Sequence, residues 1–139
     1  MTQNVQNRAE NSTLLHEEIT SVIIESFYIV YKKLGFGFLE RVYQNALAIE
    51  LRKKELDVEC QKPLNVLYDG VVVGDFFADF VINSKVIVEI KAAERLIKEH
   101  EYQLINYLKA TEAEVGLLLN FGKEPEFKRK IFTNDRKTL

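Results

Sequence analysis

The sequence predicts an α/β domain in which helices flank a central mixed β-sheet. Apolar residues early in the chain recur at spacings of three and four, which is typical of helices. Residues 58–92 instead form extended apolar segments separated by turn signals. A further helical stretch then precedes an almost wholly apolar strand at residues 115–121. A helix that joins two strands favours a parallel crossover, so we expect both parallel and antiparallel strand pairs.

The first two elements are helices. The first is predicted from about residue 12 to residue 34, and it ends at Gly35-Phe36-Gly37 because two glycines in three residues interrupt a helix. The second is predicted over residues 39–55. Its expected apolar side carries Val42, Ala46, Ile49 and Leu51.

The extended segments follow. Two short strands, at residues 58–61 and 64–68, flank Pro63. Proline lacks an amide hydrogen, so this region is predicted to lie at a sheet edge or to hold a bulge. Asp69-Gly70 is a strong hairpin signal. The remaining elements are a strand over residues 71–82, a turn at Asn83-Ser84, a strand over 85–92, a helix over 97–110 and the strand over 115–121.

Length and composition bound the class of protein. A chain of 139 residues fits one domain, predicted at residues 12–122 between a flexible leader (1–11) and a charged tail (123–139). Cys60 is the only cysteine, so no intrachain disulfide can form and a cytoplasmic location is expected. No segment approaches the ~20 apolar residues of a membrane span. The formal net charge of −2 argues against a strongly basic nucleic-acid coat protein.

Charged residues interrupt two of the predicted strands. Alternation along residues 86–92 places Glu89 and Lys91 on one face of an otherwise apolar strand. Asp79 is the single charge within residues 76–82. Burial of an unpaired charge costs several kcal/mol, so these residues are candidates for a functional site. An ordinary ion pair, or a strand face exposed to water, would also explain them.

The turn at Asn83-Ser84 brings these charges together. If residues 82 and 85 pair, Asp79 lies opposite Val88, and a shift of one residue places it beside Glu89. Two adjacent carboxylates repel each other unless a cation lies between them. Oxygen ligands without His or Cys favour Mg²⁺ or Mn²⁺.

Two helical pairs are weaker candidates. Glu40 and Tyr43 lie one turn apart at the start of the second helix, and Gln103 and Tyr107 lie one turn apart in the third. Most such pairs are ordinary surface or boundary residues, and an acid such as Glu40 is common in the first turn of a helix because the helix dipole favours it.

Together, these segments resemble a known family. The motifs are Gly37-x-x-Glu40-x-x-Tyr43, Ala78-Asp79-Phe80, Glu89-Ile90-Lys91-Ala92 and His100-x-x-Gln103-Leu-x-x-Tyr107-Leu108. In order and spacing they are similar to the GxxExxY proteins of the PD-(D/E)XK nuclease superfamily, over about residues 16–121. The resemblance implies a restriction-endonuclease-like fold with an αβββαβ core. One departure is Ala78, which stands where the superfamily often has proline.

The resemblance also implies roles for individual residues. Asp79, Glu89, the Ile90 carbonyl and Glu40 would bind Mg²⁺ or Mn²⁺. Lys91 would act with Asp79 and Glu89 in catalysis, by orienting or deprotonating the attacking water. A second group would support the site and contact nucleic acid: Gln103, Tyr107, Tyr43 and His100.

The function implied is metal-dependent hydrolysis of phosphodiester bonds in DNA or RNA. Two alternatives remain at this point. The first is a catalytically silent nuclease-fold module that binds nucleic acid or a protein partner. The second is a structural or oligomerisation role, in which the strand charges are ion pairs. A domain of this size has little surface for reading bases, so a homodimer or another partner would contribute specificity.

Overall fold

The computed structural model describes residues 15–138. The helices are α1 (Glu17–Leu34), α2 (Glu40–Lys53) and α3 (Lys98–Lys109), and a short 3₁₀ helix spans Asn134–Arg136. The strands are β1 (Val58–Tyr68), β2 (Val71–Ile82), β3 (Val86–Lys91), β4 (Val115–Phe121) and β5 (Pro125–Ile131). The predicted leader at residues 1–11 lies outside the described residues. None of the helices within residues 15–138 is long and apolar enough to cross a membrane.

The five strands form one mixed sheet in the order β1-β2-β3-β4-β5. Strands β3 and β4 are parallel and are joined by α3, whereas the other neighbours are antiparallel. The predicted crossover is therefore confirmed. Strand β3, which carries Glu89 and Lys91, lies at the centre of the sheet.

Helices cover both faces of the sheet. Helices α1 and α2 pack on one face, and α3 packs on the other. The first layer buries residues of both helices against alternate residues of the strands: Ile23, Phe27, Tyr43, Leu47, Leu51, Phe80, Val88, Ile90, Leu117 and Leu119. The second layer is smaller and includes Leu64, Ile87, Leu104, Leu108 and Leu118. Because Val88 and Ile90 face α1 and α2, Glu89 points towards α3.

The buried side of α2 differs from the prediction. Val42 and Ile49 are exposed, whereas Tyr43, Leu47 and Leu51 are fully buried at intervals of four residues. The prediction followed the aliphatic residues and gave no weight to Tyr43. In the structure the Tyr43 ring stacks on Phe121, with centroids 4.3 Å apart, and this contact determines which side of the helix faces the sheet.

Part of the segment predicted as a charged tail lies in the sheet. Residues 125–131 form β5, which pairs with β4 along its whole length. The charges of this segment concealed an edge strand, because such a strand exposes much of its surface to water. The boundaries of the predicted domain, 12–122, stay a prediction.

Pro63 lies in an edge strand, as predicted. Strand β1 continues through it, however, and Pro63 pairs with Phe77. Gln61 has a φ of 51°, and this irregularity lies directly before the residues that pair with the first part of β2. Because β1 is an edge strand, it tolerates a residue without an amide hydrogen, and Pro63 does not interrupt it. One long strand therefore replaces the two predicted short ones.

The turn between β2 and β3 sets the register of the site. Ile82 pairs with Val86 and Phe80 pairs with Val88, so the connection has three residues instead of two. Asn83 and Ser84 adopt left-handed φ values of 52° and 56°. In this register Glu89 lies opposite Asp79. The sequence left two registers open, and the structure has the one that is shifted by one residue.

Candidate active site

The site begins where the pairing of β2 with β3 ends. The last paired residues are Phe80 and Val88. One residue further along β2, Asp79 Oδ2 accepts a hydrogen bond of 2.8 Å from the Ile90 amide. A side-chain carboxylate therefore takes the place of a main-chain acceptor. Because the N–H and C=O of a strand residue point to the same side, the Ile90 carbonyl also faces this opening.

Glu89 lies in the opening with its carboxyl group withdrawn from water. The residue is 5% exposed, and its Oε1 atom is buried with no hydrogen-bond partner among the described residues. Burial, followed by the adjacent Asp79 carboxyl, raises the pKa of Glu89 to about 9, although the Lys91 ammonium acts in the opposite direction. In the absence of a cation, Glu89 therefore holds a proton at neutral pH.

Helix α3 supplies the next wall. Lys91 Nζ lies 3.4 Å from Gln103 Oε1. Tyr107 is buried on the same side, and its pKa is raised first by burial and then by the charges of Glu89 and Asp79. Thus the two strand carboxylates, Lys91, Gln103 and Tyr107 form one contiguous group.

The start of α2 forms the opposite wall. Glu40 and Asp79 both line a surface cavity of about 600 Å³. Glu40 is exposed, and within residues 15–138 no three Asp, Glu, His or Cys side chains group closely enough to form a metal site. Glu40 therefore shares the cavity with Asp79 but does not complete a three-carboxylate set with Asp79 and Glu89.

Two predicted supporting residues have local structural contacts. Tyr43 is fully buried; its hydroxyl donates to the Gly35 carbonyl at 2.7 Å and accepts from the Phe38 amide at 3.1 Å. It therefore holds the loop that precedes Glu40. His100 Nδ1 accepts a hydrogen bond of 3.2 Å from the Ile97 amide, which caps the start of α3.

Sequence reasoning missed two buried amides. Gln44 Nε2 donates to the Asp79 carbonyl at 3.4 Å, so α2 contacts the backbone of the site. Asn120 is fully buried and holds Ala93, just after β3, by accepting from its amide at 2.9 Å and donating to its carbonyl at 3.0 Å. Asn120 is a polar residue in an apolar strand, so the criterion that selected Asp79 could have found it.

The residues present are compatible with a hard divalent cation. Asp79 and Glu89 offer carboxylate oxygens, and the Ile90 carbonyl faces the same opening. The Glu89 oxygen without a partner among the described residues and the raised pKa of Glu89 both indicate that the protein alone does not compensate the charged form of this carboxyl group. An oxygen-only set of this kind suits Mg²⁺ or Mn²⁺ better than softer metals.

Comparison with known proteins identifies the same fold. A family model described as the PD-(D/E)XK nuclease superfamily matches residues 17–130. The crystal structure of SSO0001 is similar, with a TM-score of 0.54 and 21% identity over 70% of this chain and 52% of that one. The chain thus spans about half the length of that structure, and the likeness concerns the fold alone. No curated protein matched.

These comparisons agree with the architecture. Helices on both faces of a five-stranded mixed sheet form a restriction-endonuclease-like α/β fold. The matched region contains β2, β3 and α3, together with the start of α2. Because the match takes in every element that builds the candidate site, the chain belongs to the PD-(D/E)XK nuclease superfamily.

Proposed function

We propose that this protein is a metal-dependent nuclease that hydrolyses phosphodiester bonds in nucleic acid. The observation that carries the proposal is the buried Glu89 carboxyl, one oxygen of which has no hydrogen-bond partner among residues 15–138. It lies next to the half-buried Asp79 and beside Lys91 on the same strand. Asp79 accepts a hydrogen bond from the Ile90 amide, but nothing in the packing of the sheet requires a second carboxylate, that of Glu89, beside it. A site that binds a divalent cation next to a phosphate does require carboxylate ligands.

Each residue has a distinct part in this proposal. Asp79, Glu89 and the Ile90 carbonyl would hold Mg²⁺ or Mn²⁺. The bound cation would supply Lewis-acid chemistry, by lowering the pKa of water and neutralising charge that develops on the phosphate. Lys91 places a further positive charge next to the carboxylates, where it stabilises the developing oxyanion.

Helix α3 positions the lysine. Gln103 contacts Lys91 Nζ at 3.4 Å, which limits the range of the flexible side chain. Tyr107 closes the site from the same helix and presents its hydroxyl near the carboxylates. Preorganisation of this kind reduces the rearrangement needed in the transition state.

The experiment is a cleavage assay on single- and double-stranded DNA and RNA, with Mg²⁺, with Mn²⁺ and with EDTA. Lys91→Ala should lower the rate by at least about 100-fold, in the range found for removal of one electrostatic stabiliser. The matched control is Lys85→Ala, because Lys85 is an exposed lysine just before the other end of β3. Equal rates for the wild type and Lys91→Ala would refute the proposal. Binding without cleavage would instead support a catalytically silent module.

Finer assignments belong to the same proposal. The four sequence motifs support membership of the GxxExxY group within the superfamily. The exposed free thiol of Cys60 suits a reducing compartment such as the cytoplasm. A homodimer would add surface for substrate recognition, and sedimentation of the purified chain would test it.

A further inference from the structure

A second cavity lies beside the candidate active site, on its α3 side. It has a volume of about 440 Å³, which is within the usual range for small-ligand pockets. We call it the aromatic cavity; its lining is Val66, Phe76, Glu99, Tyr102, Gln103, Asn106, Tyr107 and Lys109. One side of α3 forms one wall, and the outer part of the β1–β2 hairpin forms the other.

The aromatic cavity adjoins the site already described. Gln103 and Tyr107 line it, and the same two residues adjoin the reactive group, since Gln103 contacts Lys91 and Tyr107 is close enough to Glu89 and Asp79 for their charges to raise its pKa. A molecule whose phosphate lies at Lys91 would therefore extend past Gln103 into this cavity.

The lining offers the chemistry that recognises a nucleobase. Phe76 and Tyr102 both line the cavity and are 43% and 58% exposed, so their aromatic surface is accessible to a ligand. Gln103 and Asn106 add amide groups, which can donate to and accept from the edge of a base. Flat aromatic surfaces with amides at the rim are typical of sites that stack an unpaired base.

The backbone helps to fix one of these rings. A Cβ atom at Gly74 would lie 2.9 Å from Phe76 Cε2, so a side chain at this position would push the ring from its place. Phe76 also contacts Tyr107, with ring centroids 5.7 Å apart. The ring is held before any ligand arrives, which lowers the entropy lost on binding.

We propose that the aromatic cavity holds an unpaired nucleobase from a single-stranded segment of DNA or RNA, next to the phosphate at the candidate active site. This inference rests on the proposed function, because it takes nucleic acid as the substrate. Bases in a duplex are stacked and cannot enter such a cavity unless they are flipped out. The substrate class is therefore single-stranded nucleic acid, or a duplex with an unpaired nucleotide.

The test measures binding separately from cleavage. Lys91→Ala protein is titrated with Mg²⁺ present against short fluorescent oligothymidylate, oligouridylate and an abasic oligonucleotide, with anisotropy as the readout. Adding Tyr102→Ala should weaken binding of the normal strands about tenfold, as expected for loss of one stacking contact, and should leave the abasic strand unaffected. Tyr102→Phe should bind as tightly as the parent.

Two further variants sharpen the comparison. Gly74→Ala should weaken binding of normal strands by displacing the Phe76 ring. Tyr28→Ala is the matched control, because Tyr28 is a half-exposed tyrosine of α1 on the opposite face of the sheet, and its affinities should equal those of the parent. Comparison of deoxy and ribo strands separates DNA from RNA as the source of the base.

The outcomes separate the two proposals. Equal affinity for normal and abasic strands, or no effect of Tyr102→Ala, would overturn the aromatic cavity as a base site even if cleavage depends on Lys91. Base-dependent binding that Tyr102→Ala abolishes would support the cavity, even if the wild type cleaves nothing and the nuclease proposal fails.

Discussion

The replacement Glu89→Gln tests the electrostatics of the site in the metal-free protein. Glu89 has an ordinary pKa of 4.5 when exposed and about 9 in the folded chain. Between these values the folded state binds a proton that the unfolded state does not. Unfolding then releases a proton, so the stability contributed by this group is complete below pH 4.5 and is lost as the pH rises towards 9. Glutamine has the same shape and no charge, so the variant lacks this dependence.

The size of the effect follows from proton linkage. One proton released on unfolding changes the free energy of unfolding by at most about 1.4 kcal/mol per pH unit. From pH 5.5 to pH 7.5 the metal-free wild type should therefore lose about 2 to 3 kcal/mol relative to Glu89→Gln. For a chain of this length that corresponds to about 10 °C in Tm.

The assay is thermal unfolding by circular dichroism in EDTA, at steps between pH 5.5 and pH 7.5. The difference between wild type and variant reports Glu89 and its electrostatic coupling to Asp79, because groups remote from the site contribute equally to both pH profiles. Glu112→Gln serves as the control, since Glu112 is an exposed glutamate. Parallel pH profiles for the wild type and Glu89→Gln would refute the argument that Glu89 is buried and protonated.

The same unfolding measurements are then repeated with Mn²⁺ in place of EDTA. A cation that binds the folded state alone raises Tm, so Mn²⁺ should stabilise the wild type most at the upper end of the pH range, where deprotonation is easiest. Glu89→Gln should respond much less. Equal stabilisation of both proteins would place the cation elsewhere.

Three structural predictions follow from close contacts and buried hydrogen bonds. Gly116→Ala should lower the stability by about 1–3 kcal/mol in urea unfolding, because the new Cβ would lie 2.7 Å from Leu104 Cδ1. Asn120→Leu should cost at least about 2 kcal/mol and increase hydrogen exchange at Ala93, whose amide and carbonyl lose their partners. Tyr43→Phe should lower the stability by about 1–2 kcal/mol in thermal unfolding, because the loop before α2 loses two hydrogen bonds.

The sequence predicted the order of the elements up to β4 because each strand or helix there has a clear apolar period. It also selected Asp79 and Glu89, since a charge within an apolar strand is visible without any structure. The register between them was not predictable. It depends on whether the turn uses two or three residues, and Asn83 and Ser84 both tolerate the left-handed conformation needed for the longer turn.

Other features depend on contacts that no local pattern records. Gln44 is one turn from Glu40, but only the packing of α2 against the sheet brings its amide to the Asp79 carbonyl. Strand β5 was hidden because edge strands carry charges. The buried side of α2 was assigned wrongly because Tyr43, a residue of intermediate polarity, is held by the Phe121 ring.

The candidate site lies where the sheet no longer provides hydrogen-bond partners for its own backbone. Beyond Phe80 and Val88 the β2–β3 pairing stops, and the Ile90 amide needs an acceptor, which Asp79 provides. That acceptor brings a negative charge next to Glu89, which α3 shields from water. The burial that stabilises β3 at the centre of the sheet therefore also disfavours the charged form of Glu89 when no cation is bound. Metal affinity and a pH-dependent loss of stability in the metal-free chain have the same physical origin, so the Glu89→Gln experiment tests both at once.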